Sequence, residues 1–96
     1  MTIFEDLSGP LTIGALVKAH RTSYDLSQEQ LAKKLKTTKS FVQLIENGKK
    51  KLSLKETLTL AQKLGEFTDF FALVWFETEA RDAGFDFNQF INQNRD

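Results

Sequence analysis

Between residues 38 and 51 the chain concentrates groups that form directed hydrogen bonds or neutralise anions: Thr38, Lys39, Ser40, Gln43, Asn47, Lys49, Lys50 and Lys51. On a helical wheel Ser40, Gln43, Leu44 and Asn47 fall on one side, with Lys39 at the edge, about 180° from Val42 and Ile45. A short helix held by its apolar back and offering small polar and basic groups near its N-terminus suits the DNA major groove, where such groups meet base edges. The lysine run that follows suits the phosphate backbone. The periodicity alone fits an ordinary helical hairpin equally well, and a lysine run alone fits a solvated surface.

Little else in the chain offers reactive chemistry. His20 is the only histidine, and it has no constellation of partners for catalysis or metal binding. It reads as a half-buried packing group that can touch phosphate. There are no cysteines, which excludes a disulfide framework and a cysteine-based metal site. No paired carboxylates, glycine-rich phosphate loop or nucleophile motif is present. No enzyme, cofactor or metal is expected.

The elements that position the polar set are legible from their caps. Ser27 and Gln30 make a capping box, Leu26 and Leu31 a staple, and Leu31, Ala32 and Leu35 an apolar face. Thr38 caps the next helix, and Asn47-Gly48 stops it. Upstream, Thr12 caps a helix to about residue 22 with Ile13, Val17 and Arg21 inward. A core-facing arginine requires a partner, and Glu46, on the Val42–Ile45 side, has the matching need; pairing solves both, the alternative being two exposed ions. Ser53 with Glu56 opens a further helix with Leu54, Leu58, Ala61 and Leu64 inward, stopped at Gly65.

The runs L-S-Q-E-Q-L-A and T-T-K-S-F-V-Q-L-I-E-N-G-K resemble the helix-turn-helix of the phage repressor and Cro family over about residues 12–65. The resemblance implies a phosphate contact for Gln28, base reading by Thr38, Lys39, Ser40 and Gln43, and a phosphate grip by Asn47, Gly48 and Lys49. It also implies an Arg–Glu pair comparable to Arg21–Glu46. Two positions depart from the family pattern. Lys36 stands where the inter-helix turn usually has glycine, at a cost of roughly 1 kcal/mol if its φ is positive. Leu44 stands where relatives often carry a polar base reader, and a leucine can only touch a thymine methyl or another apolar group.

Net charge is zero but unevenly placed. Residues 18–63 hold eleven Lys and Arg against four Asp and Glu, a net +7; residues 64–96 hold two against seven, a net −5. Such polarity turns one end toward phosphate and the other away. Past Phe67, Thr68 is expected to cap a helix over about residues 69–83. Its first two turns are apolar all round and must be covered all round. Phe67, Phe70, Phe71 and Val74 close the body; Leu73, Phe76 and Ala80 need a second cover. That cover is either a last helix over about residues 87–92, opened by Asp86 and Gln89, or a second copy across a two-fold axis, the reading preferred here. Ile3, Phe4 and Leu7 are expected to pack on the body.

Length sets a single domain over residues 1–96: a helix-turn-helix body at 12–65 and a C-terminal helical extension at 66–96. The expected fold is all-α, a compact bundle of about five to six helices. The longest apolar run, residues 70–76, is too short to span a membrane, and the first nine residues lack a signal-peptide pattern, so a cytoplasmic protein is expected. The functional expectation is a dimeric, sequence-specific repressor bound to double-stranded DNA. One alternative is an antitoxin that represses its own operon and binds a toxin through another surface. A second is a protein-binding module that has lost DNA binding, for which Leu44 and Phe41 near the reading face speak.

Overall fold

A computed structural model of the chain describes residues 11–86 together with Gln89 and Asn92. Five helices follow in order: α1 (Ile13–Ser23), α2 (Gln28–Leu35), α3 (Lys39–Glu46), α4 (Leu54–Leu64) and α5 (Thr68–Asp82). Four begin at side-chain caps. Thr12 accepts from the Ala15 N–H and Thr38 from the Phe41 N–H, while Ser27–Gln30 and Ser53–Glu56 form full capping boxes. These caps satisfy amides that a helix N-terminus leaves unpaired.

The turn between α2 and α3 is made by Lys36, whose φ of 58° and ψ of 45° place it in the left-handed region. Its N–H bonds the Lys33 carbonyl and that of Thr37 bonds the Ala32 carbonyl, closing α2 and redirecting the chain within two residues. Asp25 takes the same conformation in the α1–α2 turn, with φ 55°, which the sequence did not signal.

The core is one cluster containing Val17, Leu31, Ala32, Leu35, Val42, Ile45, Leu52, Leu60, Ala61, Leu64 and Phe71, so every helix contributes. α3 packs on α1 and α2, and α5 packs on α4 and α1. One close approach depends on a missing side chain: a Cβ on Gly14 would lie 2.3 Å from the Ile45 carbonyl oxygen and 2.9 Å from that of Glu46. Only glycine lets α1 press against the end of α3.

Several expected faces shift in phase. In α4 the buried positions are Thr57, Leu60, Ala61 and Leu64, while Leu54 and Leu58 are only partly covered. Thr57 is fully buried because its hydroxyl donates to the Ser53 carbonyl at 2.9 Å, so the polar atom is satisfied and its methyl packs. In α1 the buried positions are Gly14, Val17 and His20, with Ile13 and Arg21 at the margin. α5 starts at Thr68 itself, with Phe67 as an N-cap lacking a side-chain bond. Phe67 is 82% exposed and does not close the body; Phe71 and Val74 do. α5 also buries Glu77 against Arg81 one turn on. The Asp86 carboxylate accepts from the Gln89 N–H at 3.2 Å. The expected last helix at 87–92 lies, apart from Gln89 and Asn92, outside the described residues, as do Ile3, Phe4 and Leu7.

Candidate DNA interface

The polar set is assembled by anchoring α3 from behind. Val42 and Ile45 are buried in the core, so the opposite face is held outward. Thr38, Lys39 and Ser40 are exposed there, Gln43 is partly exposed, and Leu44 is 42% exposed. Thr38 spends its oxygen on the Phe41 amide at 3.1 Å and keeps a hydroxyl proton to donate. Lys39 sits 3.6 Å from Glu29 of α2, a pairing that no spacing in the sequence signals. Both side chains are well exposed, so the pair is weak and easily exchanged.

The end of α3 is tied to the lysine run through one carbonyl. Leu44 O accepts from the Lys49 N–H at 2.8 Å and the Lys50 N–H at 3.1 Å, with Gly48 at φ 70° reversing the chain. Asn47, Lys49 and Lys50 are thereby exposed beside the α3 face. The third lysine turns elsewhere: Lys51 Nζ lies 3.3 Å from Glu79 on α5. Next to it, the Leu52 carbonyl accepts from the Trp75 indole N–H at 2.8 Å. The loop is therefore fixed at one end by α3 and at the other by α5. Neither Trp75 nor Glu79 carried a sequence signal, because both bonds join residues far apart along the chain.

Beneath the face lies a charged network. Arg21 donates through Nε to Glu46 Oε2 at 2.8 Å, through Nη2 to Glu46 Oε1 at 3.1 Å, and through Nη1 to the Leu26 carbonyl at 3.0 Å. The Glu46 side chain is 3% exposed and that of Arg21 15%. The hydrogen bonds to Glu46, helped by its charge and opposed by desolvation, raise the Arg21 guanidinium above its ordinary range. Gln28 Nε2 donates to the same carboxylate at 3.2 Å. An amide nitrogen has two protons, so this bond orients Gln28 and leaves one donor for an outside acceptor.

His20 does not lie at this face. It is buried, with Nδ1 2.6 Å from Glu66 Oε2 and Nε2 3.4 Å from Lys34 Nζ, and its ring meets Tyr24. The contacts at its two ring nitrogens fix the ring between α2 and the segment after α4. Burial removes it from phosphate. On α5, Leu73 and Phe76 are 51% and 52% exposed, and Ala80 is partly exposed, forming one stripe. Among the described residues no group of His, Asp and Glu could hold a metal ion, and no helix is long and apolar enough to cross a membrane.

Two short helices in tight succession, the second braced from behind with a polar outer face and a basic loop at its end, define a helix-turn-helix DNA-binding domain. A family model described as helix-turn-helix matches residues 17–70, just over half of the chain. The chain belongs to that family, the Cro/C1 type, and is a DNA-binding regulator of this class; the family is regulatory rather than enzymatic. No curated protein and no solved structure matches the chain.

Proposed function

We propose that the protein is a sequence-specific transcriptional repressor that occupies paired half-sites as a dimer. The observation that carries the reading is the pairing of an exposed polar α3 face with the Lys49–Lys50 loop hung from its last turn. Lys39, Ser40 and Gln43 read base edges, and Thr38 and Leu44 lie against thymine methyls or nearby phosphate. Gln28, Asn47, Lys49 and Lys50 set register on phosphates. Lys51 joins them once it leaves Glu79, an exchange that costs little for a surface pair. Arg21 and Glu46 are structural, holding α3 on α1.

The Leu73, Phe76 and Ala80 stripe is the proposed dimer contact. Its strength can be bounded. Full burial of a large apolar side chain contributes roughly 1.5–3 kcal/mol, and Leu73 and Phe76 are already half-covered. The two of them in two protomers therefore give roughly 3–6 kcal/mol, less than the about 8 kcal/mol of a micromolar dimer. The dimer is accordingly completed on DNA, where two half-sites about 34 Å apart hold both copies together. Selection from random double-stranded DNA tests the reading. Enriched sequences should carry an inverted repeat at that spacing or a multiple of it. Enrichment of single half-sites removes the dimer, and absence of any enrichment removes sequence-specific recognition. An antitoxin uses the same DNA face but commits the α5 stripe to a toxin, and the same selection then yields repeats that survive substitution of Phe76.

A further inference from the structure

A cavity of about 360 Å³ lies behind α3, walled by α2, α3, α4 and the loops that join them. Its floor is apolar: Leu35 of α2, Ile45 of α3, Leu52 of the loop and Leu60 of α4 are buried, and Phe41 of α3 is half-buried. Its mouth carries the exposed Lys36, Lys55 and Lys63. The single acid there, Glu56, accepts from the Ser53 N–H at 2.9 Å within its capping box. The mouth therefore keeps a net charge of +2, three lysines against one carboxylate, above an apolar floor.

Lys36 is the informative member. Its left-handed conformation, φ 58°, favours glycine, yet the chain bears the conformational cost of a lysine there. The α2–α3 turn requires that conformation of whichever residue stands there, and with lysine in the place of glycine it sets a charged side chain at the lip of an apolar hollow whose volume lies within the range of small-molecule pockets.

We propose that this cavity binds an amphipathic anion, a small carboxylate with an apolar body, its tail on Phe41, Ile45 and Leu60 and its head among Lys36, Lys55 and Lys63. Phe41, expected near the reading face, packs instead against the core with Ile45 on the back of the helix, so occupancy shifts α3 against α2 and α4. The ligand thus acts as an effector of DNA affinity. That last consequence rests on the reading of α3 as the DNA-contacting helix, whereas binding itself does not.

The two are separated by titrating the isotopically labelled full chain with octanoate, and with 1-octanol as its uncharged match, while following backbone amide shifts. Octanoate should move Thr37, Phe41, Leu52 and Leu60, and 1-octanol should bind about tenfold more weakly, the difference expected from one or two screened charge pairs. Lys36→Gly, which keeps the fold because glycine suits that turn, should weaken octanoate several-fold, and Lys63→Gln should do the same. Equal affinity for the alcohol, shifts confined to Leu73 and Phe76, or no shifts up to about 10 mM octanoate would overturn the proposal. So would pocket shifts that depend on protein concentration without ligand, since a second copy would then fill the hollow. With binding established, octanoate should change affinity for the selected DNA in the wild type and less so in Lys36→Gly. Octanoate shifts in a protein that binds no DNA at all would sink the DNA reading while leaving the ligand site intact.

Discussion

Replacing Glu46 by alanine tests how α3 is held. The carboxylate accepts three hydrogen bonds, two from Arg21 and one from Gln28, at 2.8, 3.1 and 3.2 Å. Hydrogen bonds to charged groups contribute about 1.5–3 kcal/mol each, but three on one carboxylate are not additive. The larger effect is the arginine left behind, for which breaking a buried pair costs about 3–5 kcal/mol. Two features pull Glu46→Ala toward the lower end: Arg21 keeps the Leu26 carbonyl at 3.0 Å, and its side chain is 15% exposed, so water can reach it. We expect destabilisation by about 3 kcal/mol, which for a domain of this size lowers the unfolding midpoint by roughly 12–24 °C. Glu46→Gln, which keeps an acceptor but no charge, should destabilise less. Arg21→Met with Glu46→Leu should recover most of the stability, because an apolar pair leaves no charge unpaired. Thermal unfolding by circular dichroism measures all three. A drop under about 3 °C in Glu46→Ala, corresponding to well under 1 kcal/mol, would refute the claim that this pair braces the helix. The double variant should regain DNA affinity only in part, since Gln28 is then without the carboxylate that orients it.

Base-reading and phosphate-binding residues at the DNA face should separate by salt. Lys50→Ala should weaken binding to every sequence and flatten the log–log salt dependence by about one for each phosphate it no longer neutralises. Gln43→Ala should instead relax preference at one position, by about 1–3 kcal/mol if its hydrogen bonding is bidentate; uniform weakening in a binding titration would count against its role. Phe76→Glu and Leu73→Glu should leave a folded protein that binds single half-sites normally and has no cooperativity between two, checked by gel shift on both targets; unfolding of both variants would place the stripe in the core instead. Glu56 carries a pH prediction. Hydrogen bonds from the Ser53 backbone and hydroxyl lower its carboxyl below the ordinary 4.5. A depressed folded value means the charged cap stabilises above that ordinary value, and its contribution fades as pH falls through the folded one. Glu56→Gln keeps the box and should flatten that acid limb of the stability curve, so an unchanged limb would show that the cap's charge is irrelevant.

The sequence by itself determined the starts of the first four helices and the helix that faces outward, whereas Thr68, read as a cap, is the first residue of α5. Caps such as Ser27–Gln30 and Ser53–Glu56 act within three or four residues, and an apolar stripe on a short helix depends only on its own spacing. The Arg21–Glu46 pair was legible for a related reason, because each residue lay at a core-facing phase and neither could be buried alone. What the sequence left undecided needed a second element at a known distance. Thr57 reads as polar until its hydroxyl is turned back on Ser53. His20 reads as a half-buried group within reach of phosphate until Glu66, forty-six residues away, closes over it. Phe67 reads as core until α5 is placed, and then its position before the first turn points it at solvent. Only the tertiary structure decided that Lys51 leaves the lysine run for Glu79 and that Trp75 holds the loop through Leu52. It also decided that Gly14 serves a close helix crossing. Local patterns are fixed by backbone periodicity and the reach of one side chain, whereas these pairings depend on the angle and depth at which whole helices meet, which no single stretch of chain encodes.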